Sequence, residues 1–467
     1  MPMPDPAILW FRQDLRLADN PALVAAMAAG PVLPVFILDD AAAGAWAPGG
    51  AGRWWLHHSL AALAADLKAR GASLTLLSGR AETLIPALAQ SGRAKQVHAG
   101  RMVEPFARER DRRIAEALEG VGAVLSLHTS ALLAEPHRIR SGSGSPYAVY
   151  TPFSRAIFAL GEPEAATPAP ARIAAAPPAP DSLDLDALGL LPRRDWADAF
   201  PQLWTPGEAG AAARLARFTP KALARYDAQR NAPGIEGTSG LSPHLHWGEV
   251  SPRQVWHAAR AAGAQGQDTF LKEILWREFS YHVLWHRPEL PEAPLRADYA
   301  QFPWQPDARF LRAWQRGQTG YPIVDAGMRQ LWRTGWMHNR VRMITASFLV
   351  KHLLQPWQEG AAWFWDTLVD ADLASNSASW QWVAGSGSDA APYFRVFNPI
   401  LQGEKFDGEG AYVRAHVPEL ASLPKALIHR PWEAPRELRA RIDYPAPIIA
   451  HEAGRARALA AFAALKG

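Results

Sequence analysis

Residues 370–382 read Asp-Ala-Asp-Leu-Ala-Ser-Asn-Ser-Ala-Ser-Trp-Gln-Trp, with no glycine or proline to break a helix. At helical spacing Asp372, Asn376 and Trp380 fall at i, i+4 and i+8 and share one face. A face that runs from acid to amide to indole is a poor core stripe. It suits a large, flat ligand with polar edges. The competing reading is a helix cap followed by two core tryptophans, and spacing alone does not separate the two.

Three further stretches carry chemistry. In Phe270–Tyr281, Glu273, Trp276 and Arg277 stand at i, i+3 and i+4, so an acid, an indole and a guanidinium share a helix face; on these residues alone a surface ion pair beside a core tryptophan is the favoured reading. In Trp336–Met343, the residues Trp336, Asn339, Arg340 and Met343 line one predicted helix face, while Val341, Ile344 and Phe348 give that helix a separate apolar side. Arg340 and Arg342 are then available to pair with Asp370 or Asp372, or to bind phosphate. The turn Gly237-Thr-Ser-Gly-Leu-Ser-Pro243 offers hydroxyls and backbone N–H groups ahead of a helix, as an anion site or as ordinary capping. Asp370 and Asp372 could hold Mg²⁺, but ion pairing with the arginines competes, and no metal site is expected. His244-Leu-His246 and His57-His58 lack zinc-protease spacing, and no G-x-S-x-G elbow occurs.

These residues need elements to hold them. The chain has 467 residues, 48% hydrophobic and 20% charged, with a formal net charge of +4 and no cysteine. That composition fits a globular protein of two or three domains, without disulfides or thiolate sites, in a reducing cytoplasm. No secretory signal or membrane span is expected. The chain holds 20 tryptophans, thirteen of them from Trp247 to Trp382. Apolar runs at Ala7–Phe11, Val32–Leu38, Leu74–Ser78, Gln96–Ala99 and Val124–Leu127 predict buried strands. Helical patterns at Arg53–Arg70, Ala81–Gln90 and Glu104–Glu119 alternate with them. The first third is therefore predicted as a Rossmann-like α/β domain, with a doubly wound, parallel, five-stranded sheet. It lacks G-x-G-x-x-G and the P-loop. Proline-rich sequence from about 160 to 205 predicts a long surface connection, and the remainder reads as mostly α-helical. The expected division is 1–135, a linker over 136–205, and 206–467, ending in an amphipathic helix over Glu452–Leu465.

Taken together, the Gly237–Pro243 turn, Trp276-Arg-Glu-Phe, Gly320-Tyr-Pro-Ile-Val-Asp-Ala-Gly-Met-Arg, Trp336-Met-His-Asn-Arg-Val-Arg-Met, Asp370-Ala-Asp-Leu and Trp380-Gln-Trp resemble the photolyase/cryptochrome family. Leu9-Trp-Phe-Arg-Gln-Asp-Leu-Arg-Leu-Ala-Asp-Asn-Pro-Ala-Leu resembles its antenna domain, which 1–135 would form. The resemblance covers nearly the whole chain and is strongest to class I cyclobutane pyrimidine dimer photolyases.

It implies FAD, reduced when active, in the 206–467 domain. It also implies light-driven electron transfer that splits dimers in UV-damaged DNA, by a monomer with no membrane partner. By motif, the cofactor site comprises Tyr226, Arg230, Thr238, Ser239, Gly240, Leu241, Ser242, Phe270, Arg277, Trp336, Asn339, Arg342, Asp370, Ala371, Asp372 and Asn376. Asn376 is expected to face flavin N5, where an amide avoids the repulsion a carboxylate would exert on a reduced anion. The DNA and dimer site comprises Glu273, Trp276, Arg277, Asn339, Arg340, Met343, Trp382 and Gln402, with Trp276 and Trp382 as aromatic walls around a flipped-out dimer. Glu273 is expected to act in the reaction, and Trp380, Trp357 and Trp304 to relay electrons to the surface.

Four positions separate the subfamilies. The (6-4) photolyases carry histidines where Asn339 and Met343 stand. Plant cryptochromes usually carry Asp and Tyr where Asn376 and Trp382 stand, and the DASH group usually carries Gln and Tyr where Met343 and Trp382 stand. All four residues here follow the cyclobutane dimer pattern; the rival expectation is a blue-light photoreceptor that repairs nothing. Phe270 stands where Trp is common. Folate-binding relatives carry an acid near Ala107, so a second chromophore is expected to be a deazaflavin or a flavin before a folate, or the pocket to be empty.

Overall fold

The computed structural model describes residues 5–389 and 394–465. Five strands, β1 (Ala7–Phe11), β2 (Val32–Leu38), β3 (Thr75–Ser78), β4 (Gln96–Gly100) and β5 (Val124–His128), form one parallel sheet in the order β3-β2-β1-β4-β5. Strand side chains alternate, so Leu9 and Phe11 enter one apolar cluster while Ile8 and Trp10 enter another. β1 and β2 are covered on both faces, which is why they read as unbroken apolar runs. The predicted helices appear as Gly50–Ala69, Ala81–Gly92 and Pro105–Glu119. Beyond Pro206 the chain is helical. Its helices include Gln267–His286, Pro322–Thr334, Asn339–Ser347, Trp357–Thr367, Leu373–Ala384 and His451–Ala464. Among the described residues, no helix is long and apolar enough to cross a membrane.

The connection expected over 136–205 is more structured than its proline content suggests. Tyr150–Ala159 is a helix packed on Gln267–His286. Further on, the chain runs beside β2: Val32 N–H donates to Ala174 O at 2.7 Å, and Ala176 N–H donates back to Val32 O at 2.9 Å. Proline-rich chain cannot continue a central strand, but it can pair briefly along the length of β2 that β3 leaves uncovered.

The segment after β1 anchors the two parts of the chain to each other. Leu15 N–H donates to Trp247 O at 3.1 Å. The buried Arg16 donates to Gly248 O at 3.0 Å. Gly248 has φ +68, and a Cβ there would lie 2.1 Å from Gln13 O, so only glycine permits this approach. Trp55 Nε1 donates to Glu249 at 3.0 Å, and Trp247 Nε1 to Val369 O at 3.0 Å. Val369 immediately precedes Asp370, so this interface also fixes where the polar segment begins.

Candidate active site

The Leu373–Ala384 helix starts one residue after Asp372, whose Oδ1 accepts from Ser375 N–H at 2.7 Å. Asp372 is therefore the N-cap and not a member of the helical face, a correction to the reading from spacing. Its other oxygen accepts from the Tyr281 hydroxyl and lies 3.5 Å from His246 Nδ1. Burial alone would raise this carboxyl, but hydrogen bonding and charge from His246, together with Arg277 and Tyr281, outweigh it and hold the group below the ordinary range. Tyr281 stands one helical turn after Arg277, a signal the sequence offered. Glu104 comes from the α/β part of the chain and gave no such signal. Its carboxyl is buried, and burial first, then the charge of Asp372, raises its pKa.

Arg342 pairs with Asp370: one guanidinium nitrogen lies 2.8 and 3.1 Å from the two carboxylate oxygens, while Nε donates to Met337 O at 2.7 Å. Arg340 pairs with neither acid. It donates to Asn231 Oδ1 at 2.7 and 3.1 Å and lies over Phe406, one turn beyond Gln402 on the Pro399–Phe406 helix. The helix carrying both arginines begins at Asn339, with His338 as N-cap, so Trp336 lies outside the face predicted for it. Trp336 instead donates through Nε1 to Ser242 Oγ at 3.1 Å. Asn339 is exposed at the helix start, and Met343 is half-buried.

Glu273 does not pair with Arg277. It meets Arg230 at 2.6 Å, each side chain about a quarter exposed. Burial raises the Glu273 carboxyl, and Arg230 only partly offsets that. Arg277 turns the other way and donates to Ala131 O at 2.6 Å. Tyr226 and Phe270 meet edge to face at 5.4 Å, beside Phe218, in the core below the Arg230–Glu273 pair. Trp276 and Trp382 are half-buried. Asn376 Nδ2 donates to Ala361 O at 3.1 Å.

The turn over 238–242 has Gly240 at φ +63, and a Cβ there would meet the Arg214 guanidinium at 2.7 Å. Leu241 is buried, and Ser239 Oγ accepts from its N–H at 3.3 Å. A tight turn with hydroxyls at Thr238, Ser239 and Ser242 and cations at Arg214 and Arg230 provides donors for a diphosphate, and Arg342 beyond it a donor, with Asp370 and Asp372 as acceptors, for the polar edge of a planar ring. This donor set fits FAD.

Trp380 and Trp357 are 2% and 3% exposed, and Trp380 meets Phe364 edge to face at 5.0 Å. Trp304 is half-buried, 4.4 Å from Phe302. A separate cleft of about 110 Å³ opens at the C-terminal ends of β1 and β2 and reaches Met102 and Glu104 after β4, beside the β1/β4 junction where the strand order reverses. Trp10, Arg12, Glu104, Arg110, Trp365 and Ala371 help line it. Ala107 is fully buried, and the acids that line this cleft are Asp39, Asp40 and Glu104, the last about one turn before Ala107.

Residues 7–172 match the family model described as DNA photolyase, and residues 270–464 match the FAD binding domain of DNA photolyase. The deoxyribodipyrimidine photo-lyase of Agrobacterium fabrum is 50% identical, over 99% of this chain and 98% of its own. Cryptochrome-1 of Arabidopsis thaliana is 36% identical, over 97% of this chain and 69% of its own. The crystal structure of a bacterial class III photolyase from Agrobacterium tumefaciens matches with a TM-score of 0.95 at 50% identity, covering 99% of this chain and 98% of that one.

Proposed function

The chain belongs to the photolyase/cryptochrome family and is a deoxyribodipyrimidine photo-lyase, a light-dependent DNA repair enzyme with an FAD-binding domain; from that premise we propose how its residues divide the work. The substrate is UV-damaged DNA that carries cyclobutane pyrimidine dimers. FAD, when bound and reduced, supplies the light absorption and the electron that opens the dimer.

Thr238–Ser242, Tyr226 and Arg230 hold the phosphate side of the cofactor. Arg277, Trp336, Asn339, Arg342, Asp370, Ala371 and Asp372 surround its ring side, on a floor that includes Phe270. Asn376 offers an uncharged amide, which leaves negative charge on a nearby ring unopposed by a carboxylate. Trp276 and Trp382 stack against the flipped dimer, whose extraction costs less because damage already weakens its pairing. Glu273 hydrogen-bonds the pyrimidine edge. Burial raises its carboxyl and Arg230 partly offsets that, so the ion pair holds the group in place at the pocket. Asn339, Arg340, Met343 and Gln402 line the mouth, and cations there bind phosphate with strong salt dependence. Trp380, Trp357 and Trp304 form the relay to the surface.

The observation that carries the dimer pocket is the Arg230–Glu273 pair, an acid kept partly buried and oriented beside Trp276. The finer class is a proposal as well. The sequence pointed to class I; the 50% likeness to a class III structure leads us to place this chain with class III. We propose the cleft at the sheet for a second, planar chromophore. Glu104 supplies the acid that Ala107 lacks, so folate stands beside deazaflavin and flavin as an occupant. A monomer in the cytoplasm completes the reading.

One assay tests it. Reduced protein is irradiated with blue light alongside a thymine-dimer oligonucleotide, and recovery of thymine absorbance is followed. Recovery is expected. Its absence while the flavin stays reduced would favour the photoreceptor reading, for which the likeness to Cryptochrome-1 speaks.

A further inference from the structure

The indoles of Trp276 and Trp382 are each held from behind by residues that come from elsewhere in the chain. The Tyr150 ring lies flat on Trp276, with centroids 3.6 Å apart and planes 5° from parallel. Tyr150 is buried, and its hydroxyl donates to Lys272 O at 2.8 Å, one turn before Trp276 on the same helix. The ring is thus stacked on one side and tethered at its tip, so it cannot slide along the indole.

On the other side, Trp382 Nε1 donates to Asp389 O at 3.2 Å. The backbone N–H of Tyr150 lies near enough to the Asp389 carboxyl to lower its pKa, against the larger effect of burial, which raises it. Asp389 has φ +56, a left-handed conformation that Asp and Asn adopt more readily than other side chains. One line of contacts therefore runs Trp276, Tyr150, Asp389, Trp382.

We propose that Tyr150 and Asp389 are positioning residues that fix the two indoles relative to each other, and so select a dimer over undamaged bases. This rests on the reading that Trp276 and Trp382 wall the dimer pocket. A half-buried tryptophan on a helix face has rotamers to lose on binding. A stack and a hydrogen bond from behind remove that freedom beforehand, which is preorganisation. The brace crosses from the helix after the α/β domain to the loop after the Leu373–Ala384 helix, so neither indole's own helix could supply it.

The test uses purified, flavin-loaded protein and two duplexes, identical except that one carries a single thymine dimer. Dissociation constants are measured for Tyr150→Leu, Tyr150→Phe, Asp389→Ala, Asp389→Asn and Trp276→Ala, with the flavin-to-protein ratio recorded for each. An aromatic stack of ordinary strength predicts that Tyr150→Leu weakens dimer binding about five-fold. Asp389→Ala acts in the same direction. Affinity for the undamaged duplex and flavin content stay unchanged in both. Tyr150→Phe keeps the stack, and Asp389→Asn keeps an acceptor, so each restores most of the loss. A fall that is equal on both duplexes, or that comes with flavin loss, would mean a merely structural role and overturn the proposal; so would failure of the conservative variants to rescue. Loss of discrimination in Trp276→Ala with none in Tyr150→Leu or Asp389→Ala removes the brace alone. No loss in Trp276→Ala removes the wall reading and the brace with it.

Discussion

Arg230 and Glu273 form an ion pair at 2.6 Å across two separate helices. The arginine comes from the end of a short helix about forty positions earlier, so the acid has a partner that helical spacing could not suggest. The pair keeps Glu273 aimed while its own helix presents Trp276 a turn later. We expect Glu273→Ala to weaken dimer binding about ten-fold, the scale of one hydrogen bond to a charged group, and to lower repair yield with it. Flavin content should not change. Glu273→Gln keeps a hydrogen-bonding group and should retain more activity than Ala. Full repair yield in the Ala variant would remove Glu273 from the reaction.

Glu278 should make stability depend on pH. Burial pushes its carboxyl up to about 7 from an ordinary 4.5; the charge of Arg277 and hydrogen bonds from Leu133 and Ala134 offset this only in part. Arg277 lies 3.7 Å away and is committed to backbone carbonyls, so it pairs weakly. The folded protein therefore holds a proton that the unfolded chain releases. This contribution is fully present below pH 4.5 and is lost as pH rises to about 7, of order 3 kcal/mol in all. Urea unfolding at pH 5 and pH 8 checks it: Glu278→Gln should flatten the difference. An unchanged pH slope in that variant would show that the carboxyl is already ionised at pH 5.

Asp372 has the opposite sign. Its carboxyl is held below the ordinary range, so its stabilisation is present above that range and falls away in acid. Asp372→Ala removes a helix cap and leaves the buried Tyr281 hydroxyl and His246 short of a partner. The expected cost is about 3–5 kcal/mol, against about 1 kcal/mol for a cap alone. Asp372→Asn keeps the cap and should lose less. Denaturant midpoints for the two variants decide this; equal losses would mean that the charge contributes nothing.

The inner strands β1 and β2 were legible because they are buried throughout, and uninterrupted apolar runs bounded by turns have few other uses; the edge strand β5 is only partly buried. The polar segment was legible in composition but not in its geometry. Periodicity places Asp372 and Trp336 on helix faces, yet it does not see where a helix starts. A helix cap is the competing reading of that segment, and the structure decides for it at Asp372. Contacts made at long range left no local trace: Glu104 near Asp372, Arg230 on Glu273, and Tyr150 on Trp276 all join parts of the chain that only the fold brings together. The Pro-rich connection misled for a related reason. Its composition forbids a regular element but not two hydrogen bonds along β2, nor burial of Ile173 to 2% exposure.

Trp304 is the residue at which the proposed relay reaches solvent. Trp380 and Trp357 are buried, whereas Trp304 is half-buried against Phe302. A phenylalanine at 304 would keep an aromatic contact with Phe302 but is much harder to oxidise than an indole. Trp304→Phe should therefore block photoreduction of the oxidised flavin by an external reductant, followed as bleaching of flavin absorbance under blue light. Repair does not need that route once the flavin has been reduced chemically, so dithionite-reduced Trp304→Phe should repair thymine dimers at the yield of the unaltered protein. The two measurements separate relay from packing. Loss of both activities would mean that the substitution disturbs the fold around the cofactor, and photoreduction at the full rate would mean that electrons leave the protein by another path.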